Sequence, residues 1–115
     1  MVPSKILIVE DELHHGEQLK RVLQGRGHVV LGPVPDCSAA LELIRRGRPN
    51  LAFVDTHLGS ETCEAVLEEC DLQEVPVIIT SPAIHGVPEF CRDRRSVLKP
   101  LDGIAVDIAI TGLFA

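Results

Sequence analysis

The chain has no apolar run approaching the ~20 residues needed to cross a bilayer, no Cys-x-x-Cys pair, and neither Trp nor Tyr. The first absence argues against a membrane span, and the second against a zinc or dithiol site. Basic residues are also in deficit, since 11 Lys and Arg face 17 Asp and Glu for a net charge of -6. Such a charge repels phosphate backbones and anionic lipid, so neither nucleic acid nor a membrane surface is an expected partner. Met1-Val2-Pro3-Ser4-Lys5 lead straight into a short apolar stretch with no signal-peptide h-region, so a cytoplasmic protein is expected. In that compartment Cys37, Cys63, Cys70 and Cys91 should stay reduced and behave as small hydrophobes. At 115 residues the chain reads as one domain over positions 1–115, with no room for a separate output module. Its output is therefore expected to be binding.

Apolar runs punctuated by charge are what the chain does have. Glu10-Asp11 follow Ile6-Leu7-Ile8-Val9, Asp55 follows Leu51-Ala52-Phe53-Val54, and Lys99-Pro100 follow Val97-Leu98. Runs of this kind read as strands buried on both faces of a parallel sheet. Strands are expected at residues 5–9, 29–31, 51–54, 77–79 and 97–98. Between them, Asp11-Glu12 open a helix whose face is Leu13, Leu19, Val22 and Leu23, and Gly25 and Gly27 stop it. Asp36 or Ser38 caps a second helix through Ala39, Ala40, Leu41, Leu43 and Ile44, which ends at Gly47 and Pro49. Further helices are expected at residues 62–70 and 104–113. The alternation implies right-handed crossovers and helices on both faces of a five-stranded parallel sheet. Pro82, Gly86 and Pro88 break the rhythm before the fifth strand, so a long loop or a stub of helix is expected there.

In such a sheet ligands bind outside the carboxyl ends of the strands, where Glu10, Asp11 and Asp55 would meet. Mutual repulsion opposes ionising all three unless a cation intervenes. Magnesium fits a shallow acidic pocket that also receives a phosphoryl group, because it takes one or two carboxylates and keeps several waters. Asp55 can then act as a nucleophile toward phosphorus. The metal and Lys99 would offset the negative charge of the transferring group, and a hydroxyl near the end of the fourth strand would hydrogen-bond an oxygen of the bound phosphoryl.

The stretches Ile6-Leu7-Ile8-Val9-Glu10-Asp11-Glu12, Phe53-Val54-Asp55, Ile79-Thr80-Ser81 and Leu98-Lys99-Pro100 resemble the motifs of bacterial two-component response regulator receiver domains. The resemblance spans nearly the whole chain. It implies a flavodoxin-like, doubly wound α/β fold with strand order 2-1-3-4-5. It also implies Asp55 as phosphoacceptor, Asp11 as a direct Mg2+ ligand, Glu10 as an acidic partner acting mainly through water, and His57 as a ligand through its backbone carbonyl. Lys99 would contact the phosphoryl group, with Pro100 after it. The switch hydroxyl is Ser81, counted five residues on from Pro76, with Thr80 as the alternative. The donor would be a histidine kinase or a histidine phosphotransfer protein.

Asp55-Thr56-His57-Leu58-Gly59 and Gly86-Val87-Pro88-Glu89-Phe90 further resemble single-domain proteobacterial receivers whose fourth helix is short or replaced by loop. Ser96 stands where the family often has a Tyr or Phe that reports phosphorylation to partners, so ordering of the stretch from Pro82 to Arg95 is an alternative readout. His14, His15, His28, His57 and His85 lack a His-x-x-x-His spacing and are expected as solvated or core side chains. The last helix has a wider apolar face than one core contact requires, so a homodimer through it competes with simple burial. One rival reading is a degenerate receiver acting as a constitutive adaptor. A second is a haloacid-dehalogenase-type phosphatase, which wants a second Asp where His57 stands. On the main reading the protein is a phospho-switch, not an enzyme acting on a separate substrate.

Overall fold

A computed structural model describes residues 4–56, 58, 64–81, 95–99 and 101–114. Five strands, β1 (Lys5–Val9), β2 (Val29–Val34), β3 (Leu51–Asp55), β4 (Val77–Ser81) and β5 (Arg95–Leu98), form one parallel sheet in the order β2-β1-β3-β4-β5. Helices α1 (Leu13–Gly25), α2 (Cys37–Gly47), α3 (Glu64–Leu72) and α4 (Gly103–Phe114) flank it. This is the flavodoxin-like doubly wound arrangement implied by the motifs. Residues 82–94, where a loop or a reduced helix is expected, lie outside the described residues, as do His57 and Pro100.

Alternation along each strand divides the core in two. Leu7, Val9, Ala52, Val54, Val77 and Ile79 face α2 and α3, where Ala40, Ile44, Val66, Leu67 and Cys70 cover them. Ile6, Ile8, Leu51, Phe53 and Ile78 face α1 and α4, under Leu19, Leu23, Val106, Ala109 and Ile110. Because both faces are covered, β3 and β4 are buried along their whole length. Truncating Phe53, the bulkiest fully buried side chain, would cost about 3–5 kcal/mol.

Local differences from the sequence reading have clear causes. Leu13 is 67% exposed although it is expected on the core face of α1. At 100° per residue it lies about 120° round the helix from Leu19, and Gly16 occupies the buried place instead. Strand β2 runs on to Val34 through Gly32 and Pro33, joined by a cis peptide bond. Gly32 has φ of +99°, and a Cβ there would stand 2.7 Å from the Ile8 carbonyl oxygen, so only glycine suits the position. Of the two cap candidates Asp36 fills the role, its Oδ1 accepting from Ala39 N at 2.8 Å. His28 is a core histidine whose Nδ1 accepts from Ser4 N at 3.1 Å, and burial lowers its pKa. Cys70 is buried in the core and Cys37 packs against it, while Cys63 and Cys91 fall outside the described residues.

Candidate functional site

Each strand of the central pair delivers an acid to the carboxyl edge. Glu10 and Asp11 follow β1 directly, and Asp55 is the last residue of β3. Glu10 is fixed by backbone at both ends of its local turn: its own N–H donates to Val34 O at 2.9 Å, and its Oε2 accepts from Glu12 N at 3.1 Å. Glu12 caps α1, accepting from His15 N at 2.8 Å. The carboxylate oxygens of Glu10, Asp11 and Asp55 come within 4.8 Å of one another, Glu10 and Asp55 buried and Asp11 exposed.

Strand β5 delivers the counter-charge. Lys99 N donates to the Ser81 carbonyl at 2.9 Å, which anchors the residue just past the strand. Its side chain, only 8% exposed, then reaches between the acids. Lys99 Nζ donates to Asp55 Oδ2 at 2.9 Å and to Glu10 Oε1, and lies 3.3 Å from His15 Nδ1. Burial favours the neutral amine, but the bonds to Glu10 and Asp55 outweigh it and raise the Lys99 pKa. Burial, reinforced by the contact with Asp55, pushes the Glu10 carboxyl up to about 7 against the pull of Lys99. One ammonium thus leaves this group of acids short of positive charge.

That deficit is the test of whether a hard dication fits. Octahedral Mg2+ with oxygens at ~2.1 Å sets neighbouring ligands about 3 Å apart and opposite ones about 4 Å apart, a spacing compatible with carboxylate oxygens that lie within 4.8 Å of one another. The donor set is all oxygen and one member is exposed, which leaves room for water or a phosphoryl oxygen. Glu10, Asp11 and Asp55 are the residues that could hold the ion.

The hydroxyl pair sits at the end of β4. Thr80 lies opposite Asp55 in the β3–β4 register, and Ser81 lies opposite Leu98, one step nearer the edge. Both are buried. The expected residues Glu10, Asp11, Asp55 and Lys99 are therefore gathered in one place, with Thr80 and Ser81 on the adjoining strand end. His15 is a member of the site that its sequence gives little reason to single out. Its one clue is position, four residues after Asp11, in the first turn of a helix that begins at the carboxyl edge.

No protein-family model matches the sequence, and no curated protein matches it significantly. Solved structures do. SdrG from Sphingomonas melonis Fr1 is 27% identical, aligned over 100% of both chains with a TM-score of 0.88. The BeF3-activated conformation of SdrG from Pseudomonas melonis Fr1 is 27% identical over 96% of each chain, with a TM-score of 0.82. The signal receiver domain of a modulated diguanylate cyclase from Desulfovibrio desulfuricans G20 is 23% identical over 96% of this chain and 93% of that one, with a TM-score of 0.83. The PhyR stress response regulator matches at 23% identity and a TM-score of 0.79, and the chain spans 44% of it. At 23% the last two speak to the fold alone. The full-length match to SdrG extends from sheet to helices, so the chain shares the fold of solved signal receiver domains, the family its strand-end motifs resemble.

Proposed function

We propose that the protein is a magnesium-dependent phospho-switch that takes a phosphoryl group onto Asp55 from a histidine kinase or histidine phosphotransfer protein and signals by altered protein binding. Receiver domains in general are phosphorylation-dependent switches rather than classical enzymes. The observation that carries the reading is the buried ammonium of Lys99, 2.9 Å from Asp55 Oδ2 within a cluster of acids at the carboxyl edge.

In the transfer, an Asp55 oxygen attacks phosphorus while the bond from phosphorus to the donor's imidazole nitrogen breaks. The nitrogen leaves with its electron pair and takes a proton from solvent. Lys99 is placed to follow the charge from the carboxylate to the phosphoryl oxygens, and its neighbour Glu10 holds the ammonium at the mouth of the site. Bound Mg2+ would supply positive charge to the equatorial oxygens of the transferring group. Ser81 supplies the switch hydroxyl on this reading, because it lies one position beyond the level of Asp55, where an added phosphoryl group would extend. Thr80 shares Asp55's side of the sheet by strand alternation and is the competing choice. Ser81→Ala should reduce or abolish the response to phosphorylation while Thr80→Ala leaves it, as read by amide chemical shifts with a phosphoryl mimic. The reverse result would assign the switch to Thr80.

Intact-mass analysis after incubation with acetyl phosphate tests the reading as a whole. One added phosphoryl on the wild type, with Mg2+ and not with chelator, and none on Asp55→Asn, is expected. Equal labelling of both proteins would overturn it. Strong turnover of a small phosphate ester would favour the phosphatase, and failure to bind beryllofluoride as well would favour the constitutive adaptor.

A self-association surface is a second, separate part of the proposal. Ile104 and Ile108, four apart on α4, are 72% and 67% exposed while Val106, Ala109 and Ile110 on the same helix are buried. That strip supports homodimerisation through α4.

A further inference from the structure

We infer that His15 is a positioning residue for Lys99, holding the ammonium in place while its two carboxylate partners change state. The inference rests on the phosphoryl-site reading above and adds to it a residue outside the family motifs.

An ammonium has three donors and no acceptor. In this site two are taken by Glu10 Oε1 and Asp55 Oδ2, and the third points to His15 Nδ1 at 3.3 Å. A charged lysine can only donate, so Nδ1 must present its lone pair and the ring proton must sit on Nε2. The neighbouring Glu12 carboxylate is consistent with this. Glu12 Oε2 is 3.6 Å from Nδ1, beyond hydrogen-bond reach, and already accepts from the backbone N–H of His15 at 2.8 Å. Glu12 therefore fixes the first turn of α1, and the imidazole of the same residue is left to serve Lys99.

The arrangement matters when the site works. Phosphorylation converts the Asp55 carboxylate into an acyl phosphate, and a dication competes with Lys99 for Glu10. Both carboxylate partners of the ammonium are altered in the same event, whereas His15 is neither phosphorylated nor one of the acids and is attached to a different element. Among the described residues it is the partner whose interaction with Lys99 need not change. Losing it leaves Lys99 free to wander from the position where it meets the phosphoryl oxygens, so the phosphorylated state is weakened without any contact between His15 and phosphorus.

Three variants separate this role from bulk packing. His15→Asn retains an acceptor near the place of Nδ1, His15→Leu keeps comparable volume without one, and His15→Lys puts a like charge beside Lys99. Titration with beryllofluoride and Mg2+, read by amide chemical shifts, should show affinity lowered about threefold to tenfold in His15→Leu, the worth of one hydrogen bond. The loss should be larger in His15→Lys, and His15→Asn should recover most of the wild-type affinity. Independently of any phosphoryl mimic, the 15N shifts of the His15 ring should report a proton on Nε2 and an accepting Nδ1, and the Nδ1 signal should move in Lys99→Met. Wild-type affinity in His15→Leu, an equal loss in His15→Asn, or a proton on Nδ1 would each overturn the positioning role. If the wild type itself failed to bind beryllofluoride, the phosphoryl-site reading would fall first, and the ring shifts would still decide whether the Lys99 to His15 bond exists.

Discussion

At the residue scale the site is a problem of excess negative charge that one lysine only partly solves. The Glu10 carboxyl, at about 7 against an ordinary 4.5, expresses the residue of that problem as a titration. A carboxyl whose folded pKa is raised binds its proton more tightly in the folded state. Its contribution to stability is complete below the unfolded value of 4.5 and is lost as pH rises through about 7. A bound dication acts in the opposite sense, since it prefers the ionised acid and displaces the proton. The rise in Tm given by saturating Mg2+ should therefore grow from pH 5 to pH 8 in the wild type and stay nearly flat in Glu10→Gln. A Tm increment independent of pH in both proteins would contradict this origin. Glu10, Asp11, Asp55 and Lys99 were legible in the sequence because each terminates an apolar run, and a strand end fixes where a side chain goes. His15 was not, because its partner Lys99 lies 84 positions away and only the closed sheet brings the two together.

At the element scale, the position of α1 decides the geometry of the acids. The helix begins three residues after Glu10 and crosses directly over the Gly32-Pro33 corner of β2, where Gly16 makes the closest approach. A Cβ on Gly16 would stand 2.9 Å from both Cβ and Cγ of Pro33, a rigid ring, and 3.6 Å from Glu10 Cγ. Alanine normally favours a helix by about 1 kcal/mol over glycine. Here the clash with Pro33 should reverse the sign, so Gly16→Ala is expected to lower stability by about 1 kcal/mol or more and to weaken Mg2+ binding as α1 shifts and carries with it the Glu12 N–H that Glu10 Oε2 accepts from. Chemical denaturation and a metal titration of the variant check both effects, and a stabilised protein with unchanged Mg2+ affinity would refute the argument. This dependence was invisible in the sequence. The periodicity of Leu19, Val22 and Leu23 announces a helix, but not that a glycine, rather than Leu13, faces the corner. Nor does Val29-Val30-Leu31 reveal that β2 continues past a glycine with positive φ to Val34, because a Gly-Pro pair ordinarily reads as a strand's end.

At the scale of the whole molecule, a parallel sheet with helices on both faces was readable from the alternation of apolar runs and amphipathic segments, whereas its strand order followed only from the resemblance of the strand-end motifs to receiver domains. The face of α4 was not, since a helix apolar nearly all round does not declare which side meets the sheet. Its exposed Ile104 and Ile108 predict self-association that Ile108→Glu should reduce, measured by light scattering with and without beryllofluoride. Monomer at high concentration under both conditions would remove α4 as a dimer surface. Everything else in the account hangs on one covalent event at the carboxyl edge. The most direct measurement is to phosphorylate the protein with acetyl phosphate and Mg2+, reduce the acyl phosphate with borohydride, and map the product by peptide mass. Reduction at Asp55 alone, converting it to homoserine, is the predicted result. Reduction at another carboxylate, or phosphoryl label resistant to borohydride, would contradict the assignment of Asp55 as the phosphoacceptor.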